Sequence, residues 1–109
     1  MRSLHWRSAV IAGAALLAVP VTSQAAPHTY PVTIRQMAFS PAPTGLRVGD
    51  TIEWVNDDIF LHSATSKDGG FDVTLKPKAH VRMVLTKPGS FAFVCRYHPG
   101  MGGRLTVAK

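Results

Sequence analysis

In the segment Phe91-Ala92-Phe93-Val94-Cys95-Arg96-Tyr97-His98-Pro99-Gly100-Met101-Gly102-Gly103, a thiol, an imidazole and a thioether recur at intervals of three. Pro99-Gly100 can turn the chain, and Gly102-Gly103 lets the backbone re-enter a strand. Cys95, His98 and Met101 can therefore wrap a single ion. A fourth donor has to come from His28, His62 or His80. His62 is the best placed, because it follows the apolar pair Phe60-Leu61 and an Asn56-Asp57-Asp58 turn and so stands at a junction of loop and strand. His28 lies near the start of the folded part, and His80 alternates with Arg82 on a polar face. Thiolate and thioether are soft ligands, and two His with one Cys and a weak Met suit a copper ion that carries single electrons. Zinc wants four strong donors or an open water position, and calcium and magnesium want oxygen. Singly, these residues read as a buried thiol, two surface histidines and a core methionine. Only a shared metal explains them together.

The elements that position these donors read as strands. No stretch after residue 25 keeps apolar residues at helical spacing for three turns. Strand-like runs cover Tyr30 to Phe39, Gly45 to Val48, Thr51 to Val55, Leu61 to Thr65, Ala79 to Thr86, Ser90 to Arg96 and Gly103 to Ala108. Turn clusters such as Gly49-Asp50, Lys67-Asp68-Gly69-Gly70 and Pro88-Gly89 divide them. This pattern predicts an all-β sandwich of about seven to eight strands. Ile52 with Trp54, Val81 with Met83 and Leu85, Phe91 with Phe93, and Leu105 with Val107 share faces at a period of two. Continuing Phe91 and Phe93 by two places turns Cys95 inward. In the first run Val32 and Ile34 lie in one phase and Met37 and Phe39 in the other, which suggests a bulge near Arg35-Gln36 that moves the strand between sheets.

The first 25 residues read as an address. Arg2, His5 and Arg7 precede an apolar stretch from Ser8 to Val21, and Ser23-Gln24-Ala25 supplies small residues for cleavage after Ala25. Residues 1–25 are thus expected to be a secretory signal, and 26–109 a single domain of 84 residues in the periplasm. The apolar stretch is shorter than the roughly 20 residues that span a bilayer, so no stable membrane insertion is expected. Removing Arg2 and Arg7 leaves ten Lys and Arg against six Asp and Glu, a net +4. These basic residues are scattered rather than clustered and read first as a solvated basic face; an exported protein rarely meets nucleic acid, so a functional use of the charge would be the steering of an acidic partner. Cys95 is the sole cysteine, so an internal disulfide is excluded and the exported thiol needs another explanation.

Cys95-x-x-His98-Pro99-x-Met101 with an upstream His62 resembles the cupredoxins, the blue copper proteins, and the short loop is most similar to that of the amicyanins. Plastocyanin and pseudoazurin are similar, with a longer gap between His and Met. The resemblance extends over Thr51-Ile52-Glu53-Trp54-Val55-Asn56, His62, Asp68-Gly69-Gly70-Phe71 and Pro88-Gly89, in that order. It implies a Greek-key β-sandwich and one type 1 copper, with His62, Cys95 and His98 in a near-trigonal plane and Met101 axial. It also implies a backbone N–H from residue 63 to the Cys95 sulfur. Where many members carry Asn after the first ligand histidine this chain has Ser63, so the loop-to-loop hydrogen bond made by that Asn is not implied here.

Four protein donors leave no open position for a substrate, which favours electron transfer over catalysis. The resemblance, with the place of His98 beside Pro99 and Gly100, implies that electrons leave through the edge of His98, where transient redox partners dock; Lys67, Arg96 and Arg104 are the candidates to rim that patch, each otherwise a solvated charge. Such contacts are small, and monomer is the default for a small carrier. The competing reading is a copper-binding module for storage or delivery. An enzyme built on Cys95 and His98 as nucleophile and base lacks an adjacent orienting carboxylate.

Overall fold

The computed structural model describes residues 2–5, 9–20 and 25–109, and Ser23 and Gln24 of the expected cleavage region lie outside them. Residues 2–5, 9–20 and 25–28 carry no regular secondary structure, and Val10, Ile11, Leu16, Leu17 and Val19 are exposed. No helix among the described residues is long and apolar enough to cross a membrane.

Nine strands are present among the described residues: β1 Thr29–Arg35, β2 Ala38–Phe39, β3 Leu46–Arg47, β4 Thr51–Asn56, β5 His62–Ser66, β6 Asp72–Leu75, β7 His80–Val84, β8 Gly89–Val94 and β9 Gly102–Ala108. They form two mixed sheets, ordered β2-β1-β4-β7 and β3-β9-β8-β5-β6. The β1–β4 and β3–β9 pairs are parallel, and the others are antiparallel. The all-β sandwich expected from the alternation is therefore the observed architecture, with nine strands rather than seven to eight. The additional ones are β6, a four-residue edge strand, and β2, which the long first run had absorbed.

That first run contains no bulge. Gln36 and Met37 both adopt positive φ, 48° and 63°, and reverse the chain so that Ile34 pairs with Phe39 and Arg35 with Ala38 in the same sheet. Two consecutive positive-φ residues make the tight hairpin turn whose twist matches antiparallel strands, usually with Asn or Gly at those positions. The phase change read from the sequence is this reversal, and the strand does not change sheet.

Between the sheets, alternate residues meet. Val32, Ile34, Ile52, Trp54, Leu75, Phe93, Leu105 and Val107 are buried, and Phe93 lies edge-on to Phe39 at 5.0 Å and to Trp54 at 5.2 Å between ring centroids. Such T-shaped contacts place positive ring edges against negative faces. This aromatic cluster is seated at Phe93, two residues before Cys95, and it anchors the strand that delivers the thiol.

Candidate metal centre

Cys95 follows directly on the end of β8 and faces inward, in phase with Phe93, as the alternation predicts. Its N–H donates to the Met101 carbonyl at 3.0 Å, and the Met101 N–H donates to the His98 carbonyl at 3.3 Å. These bonds close the loop on itself at the point where β9 begins. Gly102 and Gly103 make that junction possible: a Cβ on Gly102 would stand 2.7 Å from the Phe93 carbonyl oxygen, and one on Gly103 would stand 2.6 Å from Cζ of the Phe93 ring. Only glycine lets β9 approach β8 so closely.

His62 opens β5 on the neighbouring strand and is fully buried. Its approach is organised by Asn56, also fully buried, whose amide donates to the carbonyls of Phe60 and Leu75 at 2.8 and 3.0 Å while its oxygen accepts the Asp58 N–H at 2.9 Å. His62 Nδ1 then lies 3.7 Å from Cys95 Sγ, and His98 Nδ1 lies 3.6 Å from the same sulfur. The three donor atoms fall within 4.8 Å of one another, and the two imidazole centroids are 4.7 Å apart. A first-row metal bonded to imidazole nitrogen and thiolate sulfur at about 2.0 to 2.3 Å, with near-trigonal angles, separates those donors by about 3.8 Å. The spacing thus fits one shared ion, and His62, Cys95 and His98 form a possible metal site. Met101, the fourth residue expected there, is buried in the core next to this loop.

The sulfur accepts the Ser63 N–H at 3.4 Å, the contact implied by the resemblance. Ser63 also forms a loop-to-loop bond in place of the absent Asn: its Oγ accepts the Arg96 N–H at 2.9 Å. The same hydroxyl is 2.9 Å from Thr65 Oγ1, which donates to Asp72 Oδ1 at 2.9 Å, and Asp72 pairs with the Arg96 guanidinium. A ring of four side chains therefore ties the residue after Cys95 to β5 and β6. The Thr65 hydroxyl, and after it the Arg96 guanidinium, hold the Asp72 carboxyl below its ordinary pKa against the opposing effect of desolvation.

Sequence reasoning missed Asp58. Its Oδ2 lies 2.9 Å from His62 Nε2 and accepts the Met37 N–H at 3.0 Å, while its Oδ1 accepts the Gln36 N–H at 2.9 Å. Burial alone would push this carboxyl up, but the Met37 N–H, the His62 ring and the Gln36 N–H together outweigh it and hold the pKa below the ordinary value. In the sequence Asp58 is one of three turn-forming residues, and nothing local marks it as the partner of a histidine.

The expected basic rim is only partly at the site. Arg96 is there, committed to Asp72. Arg104 pairs in register with Ala92 and donates to Ser90 Oγ, and the Lys67 N–H bonds the Ala92 carbonyl, so both lie back along β8. Cys95 lies three positions beyond Ala92, about 10 Å along the strand direction. The strand direction removes these two from the donor end, which scattered charges in a sequence do not reveal. Instead the surroundings of half-buried His98 are apolar: Phe60 lies edge-on at 6.3 Å between centroids, and Ile59, Phe60, Leu61 and Tyr97 are exposed. His80 is an exposed partner of Glu53 at 3.0 Å and takes no part in the site.

Comparison with known proteins gives a consistent result. A family model described as a cupredoxin-like domain matches residues 8–107. Plastocyanin from Synechococcus sp. (strain JA-2-3B'a(2-13)) is 27% identical over 107 residues, covering 80% of this chain and 79% of that protein. Amicyanin from Paracoccus versutus is 28% identical over 83 residues, covering 70% and 62% respectively. Among solved structures, the Cu(I) form of an amicyanin mutant matches with a TM-score of 0.63 at 25% identity, over 77% of this chain and 86% of that one. With a family model spanning nearly all of the sequence and the same two-sheet fold in the amicyanin structure, the chain belongs to the cupredoxin-like domain family.

Proposed function

We propose that this protein is a small exported electron carrier in which His62, Cys95, His98 and Met101 hold one type 1 copper ion. The observation that carries this reading is the convergence of two imidazole Nδ1 atoms on one buried sulfur, at 3.6 and 3.7 Å, one from the start of β5 and one from the loop between β8 and β9. A thiolate, two imidazoles and a buried thioether form the copper electron-transfer donor set. Copper, when bound, supplies the one-electron couple. The protein's part is to hold the donors still: Cys95 by its backbone bond to Met101 and the N–H of Ser63, His62 by complete burial, and His98 by the closed loop. Donors held this way have little room to move when the charge of the site changes, and hydrogen bonding at the sulfur tunes the potential. With all four donors drawn from the protein, the site has no place for a substrate, and we assign it transfer rather than catalysis.

Transient redox partners dock at His98, whose neighbours Phe60 and Tyr97 offer an apolar contact surface, and the net positive charge of the domain steers an acidic partner over longer range. Residues 1–25 direct export to the periplasm and are removed, and the carrier acts as a monomer. The test is the visible spectrum of the protein loaded with Cu(II), beside a Cys95→Ser variant. An intense thiolate-to-copper absorption that vanishes on reduction and in the variant is the expected result. A colourless protein that retains Cu(I) or zinc overturns the carrier and favours storage or delivery.

A further inference from the structure

Asp58 touches more of this site's scaffold than a turn residue requires. Its two carboxylate oxygens take the N–H groups of Gln36 and Met37, and Oδ2 also takes the His62 ring. Gln36 and Met37 are non-glycine residues held at positive φ, a conformation that costs about 1–2 kcal/mol per residue and persists only where surrounding contacts enforce it. The flanking residues fix the carboxylate from other sides. The Asp58 N–H is bound by Asn56 Oδ1, the Asp57 N–H by the Ile34 carbonyl at 3.0 Å, and the Asp57 carboxylate by Arg35 Nε at 2.9 Å. The His62 side chain is fully buried and that of Asp58 is only 14% exposed, so the pair sits largely out of water.

An ionised carboxylate only accepts hydrogen bonds. His62 Nε2 must then carry the ring proton, which leaves the lone pair on Nδ1, the nitrogen that faces Cys95 Sγ. A fixed negative charge one imidazole away from the metal position also favours the more positive oxidation state. We propose that Asp58 is a positioning residue that sets the reduction potential: it locks His62 in the tautomer that presents Nδ1 to the metal, and its charge holds the potential low. The potential half of this rests on the copper-carrier reading, and the tautomer half does not.

Two measurements on protein produced from the full chain separate them. In the copper-loaded form, Asp58→Asn raises the reduction potential by at least 59 mV, a tenfold shift in a one-electron equilibrium. Asp57→Asn, which removes an equal charge without touching His62, moves it by less than half as much. In the copper-free form, ring-nitrogen NMR of His62 shows a single Nε2–H tautomer in the wild type and a mixture in Asp58→Ala. Equal potentials in the wild type and Asp58→Asn, or a larger shift in Asp57→Asn, overturn the potential-setting role. A mixed or Nδ1–H tautomer in the wild-type protein overturns the positioning role. If the wild type shows no visible copper absorption, the carrier reading has failed and with it the potential-setting role, while the wild-type ring spectrum still decides whether Asp58 positions His62. If Asp58→Asn does not fold, that same spectrum decides the positioning role, on which the proposal then stands or falls.

Discussion

Ser63 shows how a short side chain can tie two segments of the chain together. A serine is too short to span far, yet its hydroxyl reaches the Arg96 N–H because Thr65, Asp72 and Arg96 complete a ring around it. Ser63→Ala leaves the Arg96 N–H without that acceptor. A net hydrogen bond contributes about 0.5–1.5 kcal/mol, and a donor left without a partner costs more. We expect Ser63→Ala to lower stability by about 1–2 kcal/mol in urea unfolding of the copper-free protein and to shift the copper absorption, because the residue it releases adjoins Cys95. An unchanged unfolding midpoint would show that the ring has no energetic role. At this scale the sequence was most readable where the signal is chemical. A sole cysteine with His and Met at intervals of three announces a metal loop. The Arg96 partner of Ser63 and the Gln36 and Met37 partners of Asp58 were invisible because they lie 33 and 21 to 22 positions away, and although His62 is only four positions from Asp58, a polar turn residue carries no mark of which donor it will meet.

Among the elements, the junction between the ligand loop and β9 carries the sharpest constraint. Gly102 must pass within 2.7 Å, counted from a would-be Cβ, of the Phe93 carbonyl oxygen, an obstacle fixed in the β8 backbone. Gly102→Ala therefore pushes β9 away from β8 at the point where Met101 and Cys95 exchange their backbone bond. Overpacking of this kind costs about 1–3 kcal/mol. The expected outcomes are a lower melting temperature for the copper-free protein and faster loss of copper to a chelator. If retention is unchanged, the loop is held independently of β9. The strands themselves were legible where both faces differ, as in β4 and β8, since a period of two fixes which side is buried. The edge strand β6 escaped notice because its alternation of Asp72, Val73, Thr74 and Leu75 runs for only four residues, and β2 was hidden because a Gln-Met pair does not look like a hairpin turn.

For the whole molecule, the acidic residues set the pH limit. Asp50 is held below its ordinary pKa by the backbone N–H groups of His28 and Arg47, Asp68 chiefly by the Gly70 N–H, and Asp58 and Asp72 are lowered as described above. Each of these carboxyls binds its proton less readily in the folded chain than in the unfolded one, where the value is about 3.9. Between the folded and unfolded values the unfolded state holds more protons, so stability rises with pH there. Their contribution is complete above about pH 5 and is lost as pH falls through the lowered values. Urea midpoints of the copper-free protein are expected to be level between pH 5 and 7 and to drop steeply below pH 4. A midpoint still level at pH 3 would mean that these bonds persist with the carboxyls protonated.

The order of the strands also determines when the donor loop can close. In the five-stranded sheet β9 lies between β3 and β8, so the last strand in the chain fills a gap that two earlier strands must leave open. Met101, at the threshold of β9, holds the Cys95 N–H, and His62 reaches the thiol only across the packed sheet. For a chain delivered N-terminus first, the socket is incomplete until that strand arrives. Closure of the donor loop by the bond from the Cys95 N–H to the Met101 carbonyl thus waits on the strand that the chain supplies last.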